Sequence, residues 1–370
     1  MISHLKSGDT GECTNVEKYS FGKRRFAMKK VLNQSILNEL LAQAINKKNI
    51  TGAVLCVEKG DNSFSQVSGA GNIEENDSYF IASVTKLYIT AIMLKLRAGN
   101  QLQLDDKISQ YLHKDDVSRI HVLKGEDYSD EITIKHLMSN TSGIPDYFTS
   151  EVFLELANGK DQSWPLERTL QSVKQMKPKF KPGQKGKAYY SDTNYQLLGE
   201  IIKKITGKTM TAVFKEFIFD DLNLKNTYVY GDVNDSKPKP LNYKSKELNI
   251  PEYMSSIPSE GGIVSTAKDS MVFLKAFFEG HFFPKSDFKE LMNNWNFLFL
   301  PGQFYYGIGI AKQPIFISSF KKGLLGHWGQ SGAFAFYYPE KDLYFTGTVN
   351  QITGHNVAVG LIKKVIKYFD

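Results

Sequence analysis

The sequence predicts an α+β fold in which one antiparallel sheet is built from both ends of the chain and a mostly helical region is inserted between them. Near the N-terminus, two β-rich runs at about 53–58 and 63–69 flank a Lys-Gly-Asp-Asn turn signal, which indicates a hairpin. Helical periodicity dominates the middle of the chain. Near the C-terminus, short turns join four aromatic and β-branched runs, which favours antiparallel pairing; they lie at about 304–312, 322–328, 332–338 and 343–350.

Apolar residues at helical spacing define the predicted helices. The first helix begins after a cap formed by Asn33 or Ser35. Two amphipathic helices end just before Gly207 and Gly280, since glycine readily takes the left-handed conformation that ends a helix. The other predicted helices cover residues 84–98, 132–140, 149–176 and about 355–369.

The chain of 370 residues divides into two predicted parts. Residues 1–33 are polar and aperiodic, and we expect them to form an N-terminal arm. Residues 34–370 are expected to form a single domain, with an α/β part at about 34–82 and 258–370 and a helical part at about 83–257.

Composition argues against a nucleic-acid-binding protein. The chain is 41% hydrophobic and 23% charged, which is typical of globular proteins. The net charge of +7 is spread over scattered lysines with only short runs, so we expect a solvated basic surface.

The two cysteines exclude a disulfide framework. Cys13 lies in the polar arm, and Cys56 lies in an apolar run that indicates the core. No stretch approaches the roughly 18 apolar residues of a membrane span, and no apolar signal-peptide region is visible near the N-terminus. We therefore expect a cytoplasmic protein, or an extracytoplasmic one whose leader has been removed; the oligomeric state stays open.

Ser83 and Lys86 form the first candidate catalytic pair. Eight serines of the chain have a lysine three residues later, so the spacing alone is a weak signal. Ser83, however, lies where a strand meets a strongly apolar helix. It is either a helix N-cap or a nucleophile, because the free N–H groups of a helix start also favour an oxyanion. Lys86 shares its helical face among apolar neighbours, and burial there would lower its pKa and let a neutral amine take the serine proton.

Tyr190 and Asp192 form a second candidate constellation. They precede a predicted helix, and the alternation of an extended segment places both on one side. A tyrosine near a lysine can act as a general base in its phenolate form. The alternative is an aromatic turn in which Asp192 or Thr193 caps the helix.

His327 ends a predicted strand and is followed by Gly329 and Gly332, which would allow a ligand to approach the backbone closely. The alternative is a hairpin with a glycine-rich turn. The stretch around Ser331 nearly fits a G-x-S-x-G nucleophile elbow, but the second glycine is misplaced and a strand follows, so we reject it.

Five ordered elements resemble the serine β-lactamase and penicillin-binding protein family, in its branch of class C β-lactamases, esterases and D-peptidases. The resemblance runs from about residue 36 to the C-terminus. Its elements are the Ser-x-x-Lys helix with the "GNQLQLDD" segment that follows it, "ITIKHLMSNTSGIPDY", "YSDTNYQLLGEIIKKITG", "GGIVSTAKDSMVFLKAFFEG" and "GHWGQSGAF". The resemblance implies a β-lactamase/transpeptidase-like fold and a serine hydrolase that needs neither metal nor cofactor.

The same resemblance implies roles for particular residues. Ser83 would be the acylated nucleophile, and Lys86 and Tyr190 would share the acid and base work. The backbone N–H groups of Ser83 and Gln330, the latter following Gly329, would form the oxyanion hole. The acyl group of a small-molecule or peptide substrate would then pass to water.

The sequence departs from the family pattern at positions that bear on the substrate. Asn140 stands where His is common, and Asp192 where Asn is usual. An ionised Asp192 cannot donate to a substrate carbonyl, but it could pair with Lys86 and keep the lysine charged, which would favour Tyr190 as the base. His327 replaces a common lysine and so removes a fixed positive charge, and Trp328 replaces a common Thr or Ser whose hydroxyl helps to hold a substrate carboxylate. The resemblance implies that the substrate-binding and oxyanion residues are Asp192, His327, Trp328, Gly329 and Gln330.

These departures favour neutral esters or amides over anionic substrates. Two alternatives stay open. One is a penicillin-interacting DD-carboxypeptidase or β-lactamase, and the other is a non-catalytic binding or sensor protein with the same fold.

Overall fold

The structure is a computed structural model that describes residues 31–47, 49–299, 304–315 and 322–369. All but the last three residues of the predicted arm, and Cys13 with them, lie outside these ranges. Cys56 is buried, as predicted.

The helices of the described residues mostly occupy the middle of the chain. They are α1 (Gln34–Ile45), α2 (Thr85–Ala98), α3 (Lys114–Val117), α4 (Ile134–Met138), α5 (Ser150–Ala157), α6 (Leu166–Lys174), α7 (Asp192–Thr206), α8 (Met210–Phe214), α9 (Pro251–Ser256), α10 (Ala267–Phe278), α11 (Phe288–Leu291) and α12 (His355–Ile366). None of them combines the length and apolarity needed to cross a bilayer.

The strands cluster toward the two ends of the chain. They are β1 (Gly52–Lys59), β2 (Ser65–Gly71), β3 (Tyr79–Phe80), β4 (Val122–Leu123), β5 (Glu126–Asp127), β6 (Tyr228–Val229), β7 (Leu241–Tyr243), β8 (Lys246–Leu248), β9 (Ile263–Ser265), β10 (Asn296–Phe299), β11 (Phe304–Tyr306), β12 (Ala311–Pro314), β13 (Gly323–Trp328), β14 (Ala333–Tyr338) and β15 (Leu343–Thr348).

The main sheet joins both ends of the chain, which confirms the predicted fold class. Its order is β10-β11-β12-β13-β14-β15-β1-β2, and every neighbouring pair is antiparallel. Leu55 of β1 pairs with Gly347 of β15, so the N-terminal hairpin completes a sheet made mainly from the C-terminal strands. A smaller sheet, β3-β9-β6, leads into the segment that carries Ser83.

Several element boundaries differ from the prediction. The single strand expected at 304–312 is two strands, because a turn closed by the Gly307 N–H and the Ile310 carbonyl interrupts it, with Gly309 at φ +71°. The helix expected over 149–176 is α5 and α6, separated by a segment that contains Gly159 and Pro165. Strand β10 was not predicted.

Helix ends follow the predicted chemistry more closely. The Asn33 side chain accepts a hydrogen bond from the Ile36 N–H at 3.0 Å, so Asn33 rather than Ser35 caps α1. Gly207 takes φ +67° at the end of α7, as predicted.

The two faces of the main sheet bury different cores, because successive side chains of a strand point to opposite faces. Leu55 and Val57 pack with α1 and α12 on one face. Val54 and Cys56 join the larger core on the other face, which includes α2, α7 and α10. Helix α2 is buried almost all around, so a polar residue on it is enclosed by the protein.

Leu55→Ala should destabilise the protein strongly, because Leu55 is fully buried on β1, which is paired on both sides by β15 and β2. We expect its free energy of unfolding, measured by urea denaturation, to fall by about 2–5 kcal/mol. The matched control is Leu154→Ala, whose side chain is 52% exposed on α5 and should change that energy by about 0.5 kcal/mol or less. Equal losses in both variants would contradict this account of the core.

Candidate active site

Ser83 lies in a short 3-10 turn, Ala82–Val84, between β3 and α2. Ala82 has φ +45°, a conformation that costs energy for a residue with a Cβ atom and is often retained at functional sites. The Ser83 hydroxyl does not cap α2. Its Oγ instead accepts a hydrogen bond from Lys86 Nζ at 2.9 Å. The N-cap alternative for Ser83 is therefore wrong.

Lys86 is fully buried on α2, among its apolar neighbours. Besides Ser83, its Nζ donates to the Glu260 backbone carbonyl at 2.9 Å and lies 2.6 Å from Asp192 Oδ1. A carboxylate at this distance favours the charged ammonium. The structure therefore forms the Lys86–Asp192 pair that the sequence raised as a possibility, and this pair does not favour a resting neutral amine.

Tyr190 lies beside both members of the Ser-x-x-Lys pair. Lys86 Nζ is 5.2 Å from the centre of its ring, and Ser83 is close enough to the phenol to influence its pKa. Burial of the hydroxyl and the nearby charge of Asp192 raise the pKa of Tyr190 well above its ordinary value. The free protein therefore holds Tyr190 as a neutral phenol rather than as the phenolate considered from the sequence.

Asn140 holds the segment that carries Tyr190. Its backbone carbonyl accepts from the Tyr189 N–H at 2.9 Å, and its side-chain oxygen accepts from the Ser191 N–H at 3.2 Å. Both neighbours of Tyr190 are thus anchored to one residue. Asn140 itself has φ +57°, a conformation that asparagine tolerates better than most residues.

Asp192 is the first residue of α7, where the helix dipole favours a negative charge. The N-cap position belongs to Ser191, so the expectation that Asp192 or Thr193 caps the helix is wrong. The Asp192 N–H donates to Asp146 Oδ1 at 3.0 Å, which brings a second carboxyl group to the site. Burial and the charge of Asp192 raise the pKa of Asp146.

Glu260 is a third carboxyl group, and sequence reasoning missed it. Its side chain is buried, and its Oε1 accepts from Tyr147 Oη at 3.0 Å and from Gln196 Nε2 at 2.6 Å. Burial and the charge of Asp192 raise the pKa of Glu260 to about 8. The available signal was a glutamate directly before Gly261 and Gly262, in a segment matching a family element.

His327 is buried and is not one of the residues that line the cleft. Its Nδ1 lies 2.6 Å from the Trp328 carbonyl and its Nε2 lies 3.1 Å from Tyr306 Oη. Because a carbonyl can only accept, Nδ1 carries the proton and Nε2 accepts from Tyr306. Burial and the charge of Lys86 lower the pKa of His327 to about 3, so the ring is neutral. Both nitrogens are occupied within the protein, which corrects the expectation that His327 binds substrate directly.

Trp328 points to the other face of the sheet. Its indole ring packs against Phe334, Phe336 and His355, within the core shared with α1 and α12. It does not line the cleft. The expectation that Trp328 contacts the substrate is corrected accordingly.

The turn after β13 packs directly onto the Ser83 segment. A Cβ atom on Gly329 would lie 2.2 Å from the Ile81 carbonyl oxygen, so this glycine permits close approach by the protein backbone rather than by a ligand. Ser331 Oγ donates to the Phe80 carbonyl at 2.6 Å. Between them, exposed Gln330 lines the same cleft as Ser83.

The cleft, together with the open space at its mouth, has a volume of about 570 Å³. Its polar lining includes Ser83, Asp192, Glu260 and Gln330. Its walls are mainly apolar and include Phe148, Phe153, Leu156, Leu248, Ile250 and Ile257. Among the described residues that line it, none is Lys or Arg.

The chain belongs to the Beta-lactamase family, whose model matches residues 37–362. The β-lactamase/transpeptidase-like fold predicted from the sequence is confirmed by solved structures. A D-stereospecific amidohydrolase from Streptomyces sp. superposes with a TM-score of 0.74 at 22% identity, over 88% of this chain and 98% of that one.

Two further solved structures share the fold. The D-amino acid amidase from Ochrobactrum anthropi SV3 gives a TM-score of 0.70 at 21% identity, over 90% of this chain and 99% of that one. EstCE1, described as a hydrolase with promiscuous acyltransferase activity, gives a TM-score of 0.69 at 19% identity, over 90% of this chain and 97% of that one.

The chain spans about two fifths of the length of the curated relatives it matches. It is 28% identical over 221 residues to Protein flp of Staphylococcus aureus (strain MW2), covering 58% of this chain and 40% of that protein. It is 28% identical over 174 residues to a putative D-alanyl-D-alanine carboxypeptidase of Escherichia coli (strain K12), covering 46% of this chain and 38% of that protein.

Gly329→Ala should destabilise the protein, because its new methyl group would meet the Ile81 carbonyl. We expect the free energy of unfolding in urea to fall by about 1–3 kcal/mol. Gly360→Ala is the matched control, since nothing lies within 4 Å of a Cβ atom there in α12; it should be neutral or stabilising by about 0.5–1 kcal/mol. A neutral Gly329→Ala would contradict the close approach of the two segments.

Glu260→Gln should remove a pH dependence of stability. The folded protein holds the Glu260 proton up to about pH 8, whereas the unfolded chain releases it near 4.5. Stability contributed by this proton is therefore fully present below pH 4.5 and is lost as the pH rises toward 8.

We accordingly expect Glu260→Gln to gain stability relative to the wild type as the pH of urea denaturation is raised from 5 to 8. Glu252→Gln, at an exposed position on α9, is the control and should show no such trend. A constant difference between Glu260→Gln and the wild type across this range would contradict the assignment.

Proposed function

We propose that this protein is a serine hydrolase that cleaves neutral esters or amides through an acyl-enzyme on Ser83. The observation that carries the proposal is the contact of Lys86 Nζ with Ser83 Oγ at 2.9 Å, beside the Tyr190 hydroxyl. A non-catalytic binding protein has no need of all three groups in contact. The solved structures that share its fold include an amidohydrolase, an amidase and a hydrolase, which supports the proposal.

The Lys86–Asp192 pair would serve as the base. As Ser83 Oγ attacks the substrate carbonyl carbon, Lys86 takes the serine proton and passes one of its own to Asp192 Oδ1, 2.6 Å away. A charged lysine has no free lone pair with which to accept a proton, but it can accept one from Ser83 while it gives another to Asp192. The backbone N–H groups of Ser83 and Gln330 would stabilise the oxyanion.

Tyr190 would serve as the acid. Its neutral phenol donates a proton to the leaving alcohol or amine as the bond to the acyl carbon breaks. The phenolate then recovers a proton from Lys86, and Lys86 recovers one from Asp192, so that the net change is the transfer of one proton from Ser83 to the leaving group. Water then attacks the acyl-enzyme, the same proton transfers run in the opposite direction, and the carboxylic acid product is released.

The cleft favours a neutral, apolar acyl group. Its walls are apolar, its described lining residues include no lysine or arginine, and Lys86 is already paired with Asp192. A penicillin or a peptide with a terminal carboxylate would find no unpaired cation among the described lining residues. The second candidate, a penicillin-interacting carboxypeptidase, takes its support from the printed name of one curated relative.

Ser83→Ala should abolish turnover of a p-nitrophenyl ester such as the butyrate, because the alanine has no nucleophilic oxygen. We expect kcat/KM to fall by at least about a thousandfold. Ser286→Ala is the matched control: Ser286 also has a lysine three residues later, but it is exposed, and the variant should retain wild-type activity.

Intact-protein mass after incubation with benzylpenicillin separates the two candidates. The proposed function expects no adduct of the whole drug and no drug hydrolysis, together with Ser83-dependent ester cleavage. A Ser83-dependent adduct or penicillin turnover would instead support the penicillin-interacting alternative. Undiminished ester cleavage by Ser83→Ala would contradict the assignment of the nucleophile.

A further inference from the structure

Glu260 is one of the residues that line the cleft and is only 2% exposed. Its backbone carbonyl holds Lys86, so the residue lies within one side-chain length of the reacting serine. The proton relay described above does not use its carboxyl group. A buried carboxyl group that lines a ligand cleft without a place in the chemistry calls for a separate explanation.

The two oxygens of the Glu260 carboxyl group have different surroundings. Oε1 accepts from both Tyr147 Oη and Gln196 Nε2. Oε2 is buried and has no hydrogen-bond partner among the described residues. Since Oε1 already accepts two donors, a proton on the group belongs on Oε2. That O–H group is a buried donor without an acceptor, which is unfavourable until a ligand supplies one.

The charges around Glu260 favour this protonated form. The titratable groups that face it are Lys86, Asp192, Tyr147, Tyr253 and Tyr190. The only cation of this set is 2.6 Å from Asp192, and the tyrosines are neutral phenols. Ionised Glu260 would therefore add a second negative charge beside Asp192, and its pKa is accordingly raised to about 8.

We propose that Glu260, as a neutral carboxylic acid, donates a hydrogen bond from Oε2 to a carbonyl oxygen of the substrate other than the one under attack. The inference rests on the proposed function and deepens it, because it names the substrate class. The protein would select neutral acyl compounds with a second carbonyl close to the scissile bond, as in N-acylated amino acid esters and amides. Asp192 cannot fill this role, because an ionised carboxylate only accepts hydrogen bonds.

The proposal predicts that ligand affinity falls at alkaline pH. Above about pH 8 the Oε2 proton is lost, and the carboxylate faces the carbonyl oxygen as one acceptor against another. If only the acid form binds, its fraction sets the apparent affinity. The affinity should then fall about tenfold between pH 7 and pH 9.

Binding can be measured without turnover on the Ser83→Ala background. We would titrate each enantiomer of N-acetylphenylalanine amide calorimetrically at pH 7 and pH 9. Ser83→Ala should show the tenfold loss, and Ser83→Ala/Glu260→Gln should hold its affinity within about twofold, because the amide N–H₂ donates at both pH values. Ser83→Ala/Glu260→Met, which has no donor, should bind weakly at both. Ser83→Ala/Glu252→Gln is the control and should keep the loss.

Each other result overturns the inference. An alkaline loss that persists equally in the Glu260→Gln background assigns the titration to another group. Affinity that rises with pH would mean that ionised Glu260 is the binding form. If neither enantiomer binds at pH 7, the second carbonyl of an N-acylated amino acid amide is not the acceptor for Glu260. Failure of the proposed function gives a different result: Ser83-dependent ester hydrolysis is absent, whether or not the protein binds the amide.

Discussion

The buried ammonium group of Lys86 holds together parts of the cleft that are distant in sequence. It contacts Ser83 three residues away, Asp192 at the start of α7 and the Glu260 carbonyl before β9. A charge with no exposed surface is tolerated only when paired and hydrogen-bonded, and breaking such a pair typically costs about 3–5 kcal/mol. The positions of α2, α7 and the segment before β9 are therefore coupled through one nitrogen atom.

This coupling also limits what the cleft can bind. Asp192 neutralises Lys86, so neither charge is available to a ligand without disturbing the other. Asp146 and Glu260, with no cation of their own, are driven toward their neutral forms. The surroundings of Lys86 therefore approach electrical neutrality although they include three carboxyl groups. The remaining walls of the cleft are apolar, which suits an uncharged acyl group.

Local patterns predicted most of the fold. The alternating strands, the Asn33 cap and the apolar faces of α2 and α7 all depend on residues a few positions apart. The burial of Lys86 was a condition that the sequence left open, although its neighbours on the helix are apolar. Alternation also placed Tyr190 and Asp192 together correctly, since both contact Lys86.

The same alternation argues against one expectation. Consecutive residues of a strand face opposite sides, so His327 and Trp328 could not both point into one cleft. Glu260 could not be found this way, because its environment is made by Tyr147 and Gln196, 113 and 64 residues away in sequence. Its burial and raised pKa are consequences of tertiary packing. The sequence alone displays only a charged residue beside two glycines.

Ala82, the residue before Ser83, has a positive φ, and this has opposite consequences for the stability of the turn and for the position of the Ser83 hydroxyl. Glycine would adopt this conformation at lower cost, so the turn is less stable than it could be. A glycine would also loosen the backbone that aims the Ser83 hydroxyl at Lys86. Selection for thermal stability would thus favour glycine at position 82, whereas selection for a rigidly held Ser83 hydroxyl would favour alanine.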